Sequence, residues 1–354
     1  MINLKVPGKL YIAGEYAVVE NGFPSILTTV DRFVKFQISK AQNINFGTLY
    51  SKQYAAPLKW QRINNQINLL EHTQNTFEYV LEAITITEKY LQELGYSLSY
   101  FDLVIDSELD SENGKKFGLG SSAAVTVGVV KALLKYYHVD ASKELIFKLA
   151  ALAHYNVQGN GSLGDIAAIA YAGWLAYYSV DRTWLAEQSQ NSILNLIESS
   201  WPDLKIIPLK APLNLKLLVG WSGSPASTKN LITKAKQHDL RQYDCFLKKS
   251  KECVEKMITA FKDANLKAIQ NQININRHEL QTLSNISQVN IETPQLTKLI
   301  EIANHFKGAA KTSGAGGGDC GIAIFDQKQD TTPVFERWRS NQILPLEIKV
   351  YQEE

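Results

Sequence analysis

The sequence predicts an α+β protein built from two packed domains. Three observations carry that reading. The chain has 354 residues, against about 100–150 for an ordinary single domain. Strand-like and helix-like text is mixed in both halves, without the steady alternation that a doubly wound parallel sheet requires. Pro202, Pro208 and Pro212 cluster around short strand-like runs and mark a boundary near residues 200–212, so the division is drawn as 1–205 and 206–354.

Each element has its own signal. Residues 1–8 read as a strand running into a turn at Pro7-Gly8, and 10–13 and 32–38 as apolar or alternating strands. The Asn-rich text over 42–71 reads as hairpins or an exposed loop, with aromatics near Trp60 as a possible adenine pocket. Phe77, Val80, Leu81, Ile84, Tyr90 and Leu91 recur near helical spacing and predict a helix over 76–94, with Gly95 as its stop. A strand follows at 101–106. Val125, Val129, Ala132, Leu133 and Tyr136 predict a helix ending near His138, and another helix covers 142–155. Residues 166–180 read as a buried helix or strand, 215–219 as a buried strand, 221–228 as a polar loop and 229–283 as long helical text. Strands at 320–325 and 347–350 close the chain.

Composition narrows the function. Apolar residues make up 45% and charged residues 20%, an ordinary globular balance. A net charge of +2 argues against a partner bound by neutralising many phosphates, so no nucleic acid is expected. Cys245, Cys253 and Cys320 form no CxxC unit and no Cys/His cluster at metal-ligand spacing, which reads as reduced thiols. The N-terminus lacks the apolar core and small-residue cleavage site of a signal peptide, and the most apolar stretch is too short to span a bilayer. A cytoplasmic protein without a membrane partner is expected. Monomer and homodimer both remain open.

Four segments carry chemistry. In Gly118-Leu119-Gly120-Ser121-Ser122-Ala123-Ala124, glycines precede an amphipathic helix. Backbone N–H groups at that helix start have no intrahelical partner and sit at the positive end of the dipole, a ready anion site. The bland alternative is a serine N-cap behind a tight turn. The loop is neither a P-loop nor a dinucleotide fingerprint, since the following lysine and the third spaced glycine are missing. Lys115 and Lys116 add positive charge upstream. The second segment is Lys311-Thr312-Ser313-Gly314-Ala315-Gly316-Gly317-Gly318-Asp319. Its glycines fit backbone packed tightly on a ligand or on other backbone, or else a flexible hairpin tip. The third is Asp165, three residues after Ser162, which alone reads equally as a helix cap. The fourth is Lys9, after Pro7-Gly8 and before Gly14-Glu15-Tyr16, where a lysine in an apolar run could simply reach for solvent.

Taken in order, Pro7-Gly8-Lys9-Leu10 with Gly14-Glu15, then residues 118–124, then Gly314-Ala315-Gly316-Gly317-Gly318-Asp319 resemble the three motifs of the GHMP kinases, the family of galactokinase, homoserine kinase, mevalonate kinase and phosphomevalonate kinase. The resemblance spans nearly the whole chain. Residues 8–18, 158–167 and 220–228 are most similar to its bacterial branch acting on 5-phosphomevalonate. The fold this implies is a two-domain one with the active site in the interdomain cleft, and the implied cofactors are ATP as co-substrate and Mg²⁺.

The resemblance also assigns residues. Lys116, Gly118, Leu119, Gly120, Ser121, Ser122 and Ala123 would hold ATP, with Ser122 the metal ligand and Ser121 the reserve. Lys9 and Asp165 would be catalytic. Lys9, Tyr16, Ser162, Asp165, Ser313, Gly314 and Ala315 would contact the acceptor. Bringing two dianions together calls for further cations, for which Lys115, Lys116, Lys229 and Arg277 are candidates; the last two read equally as solvated surface charges. Two features depart from the pattern: Lys115-Lys116-Phe117 stands where the family has a proline, and His154 sits near the register of the mevalonate kinases' Mg²⁺-binding glutamate. His154 is expected to be a satisfied structural histidine. The alternatives are a family member with an alcohol acceptor and a non-catalytic nucleotide-binding relative.

Overall fold

The computed structural model describes residues 1–52, 56–64, 66–70, 77–110, 115–188, 191–224 and 240–353. Strand β1 (Ile2–Ala13) pairs antiparallel with the long β2 (Pro24–Lys40). The turn expected at Pro7-Gly8 is instead a register shift within the strand. Proline lacks the N–H that a regular ladder needs, and a bulge absorbs the defect. The sheet is completed by β3 (Gly47–Ser51), β4 (Leu58–Ile63), β5 (Gln66–Leu69), β6 (Phe101–Ser107), β7 (Trp174–Tyr178) and β8 (Lys205–Leu209). Among the described residues it is an 8-stranded sheet, ordered β5-β4-β3-β6-β2-β7-β8 with β1 on β2. The Asn-rich tract is therefore a pair of hairpin connections. Trp60 is fully buried there, its indole N–H donating to the Phe101 carbonyl. Trp60 itself therefore offers no open ring face to a ligand.

Helices α1 (Glu78–Glu93), α2 (Ser121–Tyr136), α3 (Lys143–Gln158) and α4 (Gly164–Tyr171) cover this sheet, with α2 and α4 packed directly on β1 and β2 and α1 and α3 outside them. Ala123, Ala124, Val127, Val130 and Leu134 of α2 are all buried, as a helix between sheet and helices requires. Gly128 allows close approach, since a Cβ there would lie 2.0 Å from the Phe36 ring. Short helices α5 (Arg182–Glu187) and α6 (Ile193–Glu198) lead to β8. That strand straddles the 205/206 division and pairs throughout with β7 of the first sheet.

Among the described residues the second sheet has 4 strands: β9 (Leu215–Trp221), β10 (Ala309–Thr312), β11 (Cys320–Asp326) and β12 (Leu344–Leu346), in the order β10-β11-β9-β12. Helices α7 (Leu240–Lys262), α8 (Leu266–Ser287), α9 (Pro294–His305) and α10 (Thr332–Ser340) accompany it. The long helical text is thus two helices. Ala264 adopts φ +50° and the Asn265 side chain caps α8 by accepting from Ala268 N at 3.0 Å. The first part of that text, and the polar loop beyond residue 224, lie outside the described residues. The strand expected at 347–350 reduces to a single bridge from Val350 to Val30, which returns the chain to the first sheet. All three cysteines are free, and burial pushes the Cys253 thiol up to about 12, the mark of an inert thiol. Among the described residues, no helix is long and apolar enough to cross a membrane.

Candidate active site

A cavity of about 560 Å³ opens where the two sheets meet. It is lined by Lys9 and Tyr16 from the first strand and the turn after it, by Lys116, Gly118, Gly120, Ser121 and Ser122 from the first glycine loop, by Ser162 and Asp165 ahead of and within α4, and by Ser313, Gly314 and Ala315 from the second. Twelve of the fourteen residues expected at the site are therefore brought together. Leu119 and Ala123 do not line it. Both are fully buried, and the Leu119 carbonyl accepts the Lys9 N–H at 2.8 Å. Among the further cations, Arg277 is held by Glu292 at 2.9 and 2.7 Å away from the cavity, which removes it as an acceptor contact. Lys115 also lies off the cavity wall, and Lys229 is outside the described residues.

The first loop is shaped by its glycines. Gly118 and Gly120 sit at φ +82° and +83°, where side chains are strained. A Cβ on Gly118 would meet Asp319 at 2.6 Å, and one on Gly120 would meet the Lys9 stem at 2.7 Å. Lys9 thus lies along the loop, its ammonium 3.3 Å from the Gly118 carbonyl and 5.4 Å from the centre of the Tyr11 ring. It does not run out to solvent. Helix α2 begins at Ser121 with no side-chain cap, so its first N–H groups face the cavity end of the dipole. Ser121 Oγ donates to Asp110 at 3.4 Å, and Ser122 Oγ lies 3.4 Å from His154 Nε2.

His154 is not the satisfied structural histidine the sequence suggested. It lines the cavity, its Nδ1 has no hydrogen-bond partner among the described residues, and its ring lies 4.9 Å from that of Tyr79. Burial holds its imidazole below the usual range, with Asp165 opposing that shift.

The opposite wall is a second turn under strain. Leu163 takes φ +64° just before α4, a left-handed conformation costing a non-glycine residue about 1–3 kcal/mol. Ser162 Oγ accepts from Gly164 N at 3.2 Å and bonds to the Tyr11 hydroxyl at 3.0 Å. Tyr177 donates to the Ser162 carbonyl. Burial, then the Asp165 charge, raises the Tyr11 hydroxyl well above its ordinary value, so it stays a donor. Asp165 is not the cap of α4; it lies in the first turn, Oδ1 accepting from Ile166 N at 3.0 Å, and faces the cavity. On the far side, Ser313 Oγ donates to the Tyr11 carbonyl at 2.9 Å and Tyr16 donates to the Ala315 carbonyl. Glu15 Oε1 accepts from Gly314 N at 3.3 Å and pairs with Lys311.

Sequence reasoning assigned no role to Tyr79, Glu78, Gln158, Asn160, Glu15 or Asp319, all of which line the cavity. Glu15, Gln158, Asn160 and Asp319 stand inside the motif segments, so a signal existed. Tyr79 and Glu78 open a helix whose pattern shows only a packing face.

Compared with known proteins, residues 78–173 match the family model of the GHMP kinases N terminal domain and residues 257–343 that of the GHMP kinases C terminal. The phosphomevalonate kinase of Streptomyces sp. strain CL190 is 34% identical to this chain, over 96% of it and 94% of that protein. The chain belongs to the GHMP kinase family. This GHMP kinase is also similar to the Streptococcus pneumoniae phosphomevalonate kinase solved with phosphomevalonate and AMPPNP, with 31% identity, a TM-score of 0.88, and 99% and 100% of the two chains covered. The mevalonate kinase of Methanocaldococcus jannaschii is 25% identical over 92% of this chain and 93% of its own.

Proposed function

We propose that this protein is a phosphomevalonate kinase, transferring the ATP γ-phosphoryl to the phosphate of (R)-5-phosphomevalonate to give diphosphomevalonate and ADP. The observation that carries the reading is one cavity uniting Lys9, an uncapped α2 start and Asp165, in a chain 34% identical over its length to a phosphomevalonate kinase. The free thiols fit a cytoplasmic enzyme.

In this reading the loop from Gly118 to Ser122 cradles the ATP phosphates through backbone N–H groups, with Lys116 beside it. Lys9, held between that loop and Tyr11, places a fixed positive charge where negative charge develops during transfer. Tyr16, Ser162, Ser313, Gly314 and Ala315 hold the acceptor. Its phosphate has a second pKa near about 6, so the attacking oxygen is already mostly ionised at neutral pH. A strong base is unnecessary. Asp165 then orients Lys9 and the acceptor, and rate comes from alignment and charge neutralisation.

Among the described residues no three His, Cys, Asp or Glu side chains cluster as a metal cage. Mg²⁺ is usually held by one or two protein oxygens together with substrate phosphates and water, so it needs no such cage. Ser122 Oγ would be its protein ligand, and it would neutralise phosphate charge.

A second reading, an alcohol acceptor, draws on the Asp165 carboxylate in the cavity and the likeness to mevalonate kinases. An ADP-release assay with 5-phosphomevalonate, mevalonate, homoserine and galactose side by side separates the two. Turnover with 5-phosphomevalonate is expected. Turnover confined to a non-phosphorylated acceptor would overturn the proposal.

A further inference from the structure

Behind the acceptor wall lies an ion pair that does not belong to the cradle around ATP. Lys311, on β10 of the second sheet, is fully buried, and its Nζ donates to Glu15 Oε1 at 2.5 Å and to the Thr312 carbonyl at 2.6 Å. Glu15 follows β1 of the first sheet and is also buried, so the pair joins the two halves of the molecule. Lys311 does not line the cavity, but Glu15 does.

The same Glu15 Oε1 accepts the Gly314 N–H at 3.3 Å, while its Oε2 is buried and without a hydrogen-bond partner among the described residues. Two more bonds run in parallel, from Ser313 Oγ to the Tyr11 carbonyl and from Tyr16 to the Ala315 carbonyl. Each residue of the 313–315 wall is thus tied to the 11–16 segment, and the charged tie depends on Lys311. A Cβ on Gly314 would meet nothing within 4 Å, and Gly314 lines the cavity. Among the described residues, nothing packs on Gly314 from that side.

We infer that Lys311 is a positioning residue for phosphoryl transfer: through Glu15 it fixes the 313–315 wall against the first domain at the acceptor end of the cavity. A buried ion pair is weak evidence of stabilisation, because desolvation consumes most of the attraction. What it supplies is a fixed geometry across the junction. Without the ammonium, Glu15 is left buried and unpaired, and the Gly314 N–H loses its fixed acceptor.

The inference rests on the acceptor end assigned above. The test uses the full-length protein as Lys311→Met and as the double variant Glu15→Gln/Lys311→Met. Lys311→Met should raise the acceptor KM and lower kcat, together by roughly 10- to 100-fold, as a misplaced substrate contact does, with the ATP KM within about twofold. Hydrogen exchange in the 309–318 segment should quicken with AMPPNP bound. The double variant holds no unpaired charge, so its thermal midpoint should return toward that of the parent while the acceptor KM stays raised. Recovery of both the midpoint and the acceptor KM would reduce the pair to a stability element and overturn the inference, as would parental kinetics in Lys311→Met. Should Lys311→Met fail to fold, the double variant decides. Should the parent fail to turn over 5-phosphomevalonate, the acceptor reading falls alone; unchanged exchange at 309–318 would still overturn the role of Lys311.

Discussion

Two glycine-rich loops line one cavity and do different work. Residues 118–122 run into α2, so their backbone N–H groups stand at the start of a helix with no side-chain cap. Residues 313–319 join β10 to β11 with no helix behind them, and Gly316 packs on protein. A Cβ on Gly316 would lie 2.1 Å from the Ile291 carbonyl oxygen, which already accepts the Gly317 N–H at 2.8 Å. Similar composition therefore yields an anion cradle in one place and a wall in the other. What decides is the element that follows the loop.

Four substitutions break or sharpen that contrast. Lys9→Ala removes the ammonium laid along the cradle and should lower kcat on the order of 10³-fold at nearly unchanged thermal midpoint. Steady-state kinetics with saturating acceptor check it, and a loss under tenfold would move the catalytic charge elsewhere. Next comes Gly118→Ala, whose methyl would strike Asp319 from a left-handed backbone. That strain is about 1–3 kcal/mol, and it should appear mainly as a raised ATP KM. Asp165→Asn follows with about a tenfold fall in kcat, because the acceptor oxygen is already ionised. A larger loss for Asp165→Asn than for Lys9→Ala would restore a general base and with it the alcohol acceptor. The smallest kinetic effect belongs to Gly316→Ala, which should lower the thermal midpoint by several degrees through about 1–3 kcal/mol of strain. Its ATP KM should stay within about twofold. If Gly316→Ala and Gly118→Ala exchanged these signatures, the assignment of the two loops would be reversed.

The first loop and its helix were legible because glycine and serine punctuate a clear helical period at Val125, Val129 and Leu133. Lys9, Asp165 and Ser313 were legible only together, as ordered motifs; singly, each had an equally good structural reading. The rest was hidden for physical reasons. Lys311 and Glu15 are 296 residues apart, and nothing local marks a long-range pair. Arg277 looked available until the fold placed Glu292 beside it. Tyr79 and His154 lie on helices whose spacing reports a buried face without saying that the face ends at a cavity. The α7–α8 break escaped notice because Asp263-Ala264-Asn265 contains neither glycine nor proline. Alternation at 347–350 resembles a strand, but only Val350 finds a partner strand, in the other sheet.

The central claim is that this enzyme joins phosphate to phosphate, and phosphorus NMR of the product tests it most directly. With ATP, Mg²⁺ and 5-phosphomevalonate, the account predicts a new pair of mutually coupled resonances from a diphosphate ester, growing in step with ADP. Two uncoupled phosphomonoester signals, from transfer to a carbon-bound hydroxyl of the same acceptor, would contradict it.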